Sequence, residues 1–159
     1  LLGGGTFWLS NGPNKASLSM QVVLTKINFL LNTPLLSSGQ WRPAQIFTHC
    51  AQRVEYSMAE YPEHKTELFK RTIGQLAFSA FSEKGAMHHG LSEAIPGAPD
   101  ASLEKDPKLA LQRLAKAFID FSQYQGILAS HFAYGELSKQ DYELAHVMHF
   151  YNHLQEIKL

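Results

Sequence analysis

Ser138-Lys139-Gln140-Asp141-Tyr142-Glu143-Leu144-Ala145-His146-Val147-Met148-His149-Phe150-Tyr151-Asn152-His153-Leu154-Gln155-Glu156-Ile157 is the stretch on which the fold turns. Ser138 can cap a helix by accepting a hydrogen bond from a free N–H of its first turn, with Asp141 three residues on in a capping-box-like position. From there to about Ile157 the residues keep helical spacing. His146, His149 and His153 fall on one stripe, within about 60° of arc at ~100° per residue. Phe150, Leu154 and Ile157 flank that stripe, so it faces at least partly inward. Imidazoles at i and i+4 can reach one metal ion, which is the logic of the HExxH helix. Here His149 is followed by Phe150 rather than glutamate, which argues against a zincin mechanism.

Upstream the same periodicity repeats. Asp106-Pro107 opens a helix as cap and first residue, with Leu111, Leu114, Phe118, Phe121 and Leu128 apolar and fraying near His131. Before it, 88–106 reads as a long loop rich in Gly, Pro, Ala and Ser, in which His88 and His89 are expected to be solvated. A shorter helical stretch covers about Thr66 to Ser82, with Gly85 as its stop. Trp41-Arg42-Pro43 starts a helix whose apolar face is Ile46, Phe47, Cys50, Val54 and Met58, ending at Tyr61-Pro62. His49 lies beside Ile46 and Arg53 at the edge of that face. The first helix runs from about Ser17 to Leu31 and ends at Asn32-Thr33-Pro34. Strand signals are weak, because the β-branched residues do not alternate. The expected fold class is therefore all-α: a four-helix bundle with a long crossover between the second and third bundle helices.

The 159 residues fit one domain, spanning 17–159. Lys plus Arg and Asp plus Glu are 14 each. That balance gives no basic excess for nucleic acid and no polybasic block for anionic lipid. No apolar run reaches the ~20 residues of a membrane-spanning helix. The single cysteine, Cys50, excludes an internal disulfide and a cysteine-built zinc site, and reads as a buried small apolar side chain. Residues 1–16 read as a tail. Their glycine-rich apolar start resembles the end of an export signal, so the expected location is cytoplasmic, or periplasmic if that reading holds.

The eight histidines are the chemical anomaly. With His149 and His153 paired on one helix, a third imidazole must come from another element, and His49 is the histidine inside the second helix. A three-histidine set leaves a metal position open, as in catalytic rather than structural zinc sites. It also suits nickel, iron or copper. His146 is a core or outer-layer residue on this reading. Glu55 lies on the helix of His49 but about 120° around it. His131, which precedes the last helix, is the candidate catalytic acid or base.

Trp41-Arg42-Pro43-Ala44-Gln45-Ile46-Phe47-Thr48-His49-Cys50-Ala51 resembles the second-helix signature of the DinB/YfiT-like superfamily, and His149 with His153 resembles its HxxxH pair. Leu68-Phe69-Lys70-Arg71-Thr72-Ile73-Gly74, Ile95-Pro96-Gly97-Ala98-Pro99 and His131-Phe132-Ala133-Tyr134-Gly135-Glu136-Leu137-Ser138 resemble one bacterial family of uncharacterised function within it. The resemblance runs from about residue 18 to the end. It implies a DinB-like bundle, a nickel or zinc ion on His49, His149 and His153, and pairing of two copies into a homodimer. It departs at Asn152, where the family often has a further histidine. The superfamily includes transferases that use low-molecular-weight thiols, so the implied activity is a metal-dependent transferase or hydrolase acting on a small molecule. The alternative is a non-catalytic bundle with a structural or sensory metal, or an association module.

Overall fold

Helices make up most of residues 18–159, which are the residues that the computed structural model describes. The expected tail, its resemblance to an export signal and the expected helix start at Ser17 lie outside the described residues. Helix α1 (Met20–Leu31) begins one turn of capping later, with the Ser19 hydroxyl accepting the Val22 N–H at 3.3 Å. It buries Met20, Val23, Ile27 and Leu30 at helical spacing.

Helix α2 (Pro43–Met58) starts on its proline, as the missing N–H of that residue allows. It stops at Met58 rather than near Tyr61, because the chain turns back and the Tyr61 hydroxyl donates to the Arg53 carbonyl at 3.1 Å. Helix α3 spans 67–84: one α turn (Glu67–Phe69), a π segment (Lys70–Gly74) and a final α stretch (Gln75–Lys84). The π segment brings Gly74 so close to the Ala133 carbonyl that any Cβ there would collide with it. Gly85 ends α3 in the left-handed conformation at φ 66°.

Residues 85–106 hold no helix beyond one 3-10 turn (Ala101–Leu103). Helix α4 (Pro107–Gln123) is capped by Asp106, whose Oδ1 accepts the Lys108 N–H at 2.8 Å. It ends before Leu128, where Tyr124 turns extended and Lys139 Nζ donates to the Ser122 and Tyr124 carbonyls at 3.1 and 2.6 Å. Helix α5 (Lys139–Leu154) starts on Ser138, which accepts the Asp141 N–H at 3.1 Å.

The described residues are all-α apart from one short pair of strands. Leu36 and Ser37 (β1) pair antiparallel with Ile157 and Lys158 (β2), so α5 stops at Leu154. A two-residue pair has no room for alternation, so no strand pattern exists to be read in the sequence. The core sits where α2 packs along α4, with α1 and α5 closing it. Phe47, Leu111, Leu114, Phe118 and Phe121 are fully buried there. Each such side chain contributes roughly 1.5–3 kcal/mol by leaving water. No described helix is long and apolar enough to cross a membrane.

Candidate metal centre

Helices α2 and α5 run past each other so that His49 meets His149 and His153. The His49 and His149 Nε2 atoms lie 3.1 Å apart, and one ligand atom from each of the three rings fits within 4.8 Å of the others. His153 stands edge to face against both other rings and His49 is tilted 54° to His149, with centroids 4.6–5.0 Å apart. Trp41, just before α2, covers two of them, at 5.1 Å from His49 and 6.0 Å from His153.

All three imidazoles are buried, at 1, 2 and 0 % exposure. Burial disfavours the charged ring, and the positive Arg53 adds to that effect on each. His49 and His149 are held well below the ordinary 6.5 by burial first and Arg53 second. His153 is lowered to about 3 by burial, His89 and Arg53. The rings are therefore neutral donors at ordinary pH, the state a metal ligand requires. Both His153 ring nitrogens and His49 Nδ1 are buried without a hydrogen-bond partner. A buried polar atom left unpaired is destabilising, and an ion bound through one nitrogen of His153 would relieve part of that cost. The donor set thus fits a divalent ion, and the group could hold one.

The other histidines fall elsewhere. His146 shares the stripe in sequence, but its Nε2 lies 3.1 Å from Ser57 Oγ. Ser57 donates its own proton to the Val54 carbonyl at 2.6 Å, so the ring proton sits on Nε2. Tyr142 and Phe121 pack on its faces, which makes it a satisfied core residue between α2 and α5. His131 is buried near Arg53. Its Nδ1 accepts the N–H groups of Ala133 and Tyr134, both at 3.1 Å, and its Nε2 lies 3.3 Å from Arg53 Nη1. Burial and Arg53 hold it well below 6.5.

His88 is exposed, as expected of a loop residue. His89 is not solvated. Its ring stacks on His149 at 5.0 Å and meets His153 at 5.4 Å, and its Nε2 is buried without a partner. The loop that carries it folds over the site, a tertiary arrangement that no local pattern could announce. Arg53 was legible as a neighbour, one turn after His49, but its lack of a carboxylate partner among the described residues was not.

His49, Arg53, Lys65, His89, Phe132 and neighbouring residues line a cavity of about 540 Å3. Cavities of ~300–1,000 Å3 are the size that takes small molecules. The fold and site define a helical protein with a buried three-histidine group, one member of which, His49, lines a cavity. A family model described as "Protein of unknown function (DUF1569)" matches residues 16–158, and the chain belongs to that family. No curated protein and no solved structure matches it.

Proposed function

We propose that this protein is a metal-dependent enzyme on a DinB-like four-helix bundle, with His49, His149 and His153 as the ligands of a nickel or zinc ion. The observation that carries the reading is the convergence of three buried imidazoles, of which His153 has no hydrogen-bond partner and His49 lines a cavity. A bound divalent ion would supply an electrophilic position that makes a water or thiol more acidic at neutral pH. That suits a thiol-dependent transferase or a hydrolase.

The protein's own groups divide the remaining tasks. His49 presents its ring both to the other imidazoles and to the cavity. His89 closes the side over His149 and leaves Nε2 available to a bound molecule. His131 has Nδ1 occupied by two backbone donors, which puts its proton on Nε2 toward Arg53. A ring with both nitrogens so committed has no free acceptor for a substrate proton, so His89, whose Nε2 has no partner, is the better acid–base candidate. The reading is tested by elemental analysis of protein purified without a histidine tag. About one nickel or zinc per chain, absent from His153→Ala, supports it. A chain that takes up neither metal overturns it.

A further inference from the structure

Two cations are buried among the described residues, Arg53 and Lys70. Lys70 is paired with Glu67 and has His64 and Ser130 nearby. Arg53 has no carboxylate within ion-pair distance among the described residues, and its Nε is buried without a partner. Its nearest polar contact is His131 Nε2 at 3.3 Å. The two backbone N–H groups on Nδ1 oblige the neutral ring to carry its proton on Nε2, so that atom cannot accept from the guanidinium. The Phe132 ring, 5.0 Å from the guanidinium carbon, is the other support. An isolated buried charge is strongly unfavourable and persists where something compensates it.

Arg53 opens into the cavity that also holds His49 and His89, and Lys65 lies on its wall. Glu93 lines the same space, but its carboxyl is folded against Gly90 and pairs with neither cation. The three ligand imidazoles are neutral, so they add no negative charge of their own. The cavity therefore has a fixed positive charge, apolar walls from Phe69, Ile95 and Phe132, and one fork of N–H donors. A guanidinium binds a carboxylate through two parallel hydrogen bonds.

We propose that Arg53 anchors the carboxylate of an organic acid with an apolar body, held in this cavity with its far end toward His49. The place of the reacting end rests on the metal-enzyme reading; the carboxylate anchor does not. With Glu93 offsetting Lys65 on the wall, Arg53 leaves one net positive charge, which matches one carboxylate, and the apolar walls favour it over a dianionic phosphate.

The test uses chelator-treated protein, so that anion binding is read apart from metal. Benzoate, benzamide and inorganic phosphate are titrated while the Arg Nε–H resonances are followed by 15N NMR. Benzoate should shift one arginine signal saturably and benzamide should not. Arg53→Met should weaken benzoate binding at least tenfold, with a melting temperature no lower than that of the parent, since it removes an uncompensated charge at nearly constant volume. Arg53→Lys should keep part of the binding. Equal binding of benzoate and benzamide, no benzoate binding, or a response to phosphate alone overturns the proposal. So does unchanged benzoate affinity in Arg53→Met. The comparison of benzoate with its amide needs no variant and stands whether or not Arg53→Met folds. Metal content, measured separately, decides the metal reading.

Discussion

His49 and His149 sit one hundred residues apart in the chain, yet their Nε2 atoms face each other at 3.1 Å. Two neutral imidazoles share one proton comfortably at that distance, but His153 adds a third ring with both nitrogens unpaired. His153→Ala should weaken nickel or zinc binding by at least about 100-fold, since even outer partners of metal ligands are worth roughly 10–100-fold. His88→Ala, altering an exposed side chain, should leave affinity unchanged. Isothermal titration of the chelated protein with each metal measures both.

Acid should destabilise the metal-free fold steeply. His49, His131 and His149 are held well below 6.5, and His146 and His153 are lowered to about 3. Each is lower in the fold than in the unfolded chain, so the unfolded state binds more protons as pH falls. Their contribution is intact above the unfolded value and declines below it, by up to about 1.4 kcal/mol per pH unit for each ring. Urea midpoints in chelator should be level from pH 8 to 7 and fall sharply between pH 6.5 and 5. A flat profile through that window would mean these rings open to water readily.

Gly74→Ala should cost about 1–3 kcal/mol, because the new methyl meets the Ala133 carbonyl and backbone cannot swing aside. Gly135, at φ 78° in the bridge that pairs it with His131, should cost about 1–2 kcal/mol as alanine through its conformation alone. Thermal melts of the two variants should fall by several degrees, with the double variant showing whether the turn at 131–135 moves as one piece.

Cys50 should resist alkylation in the folded protein. It is buried and its thiol is pushed up to about 12, first by burial, so almost no thiolate exists at neutral pH. Maleimide at pH 7 should label it only in denaturant. Rapid labelling of native protein would show that α2 opens around the site.

Much of the architecture was legible because its punctuation is local. Ser138, Asp106-Pro107, Pro43 and Gly85 each satisfy or stop a helix end by themselves, and each does so in the fold. The meeting of His49 with His149 and His153 followed from helical register and an inward face. What escaped needed partners distant in sequence. Lys139 reaches the end of α4 from another helix, β1 and β2 exist only as a pair, and the Lys70–Gly74 π segment is written in no spacing. His89 reads as a solvated loop residue until the loop is folded, whereas the core reading of His146 holds, with Ser57 as the partner that the sequence could not name.

The Ser57–His146 contact has a consequence for how an ion would arrive. It joins α2 to α5 at a second point, below the rung formed by His49 and His149, so the two helices are pinned against sliding or rotating past one another. The imidazoles are thus aimed before any ion enters, and the loss of freedom needed to assemble them is met when the chain folds. Capture then resembles a key entering a cut lock. The apo and loaded proteins should share one backbone, and loosening the pin with Ser57→Ala should slow and weaken uptake from a residue that never touches the ion.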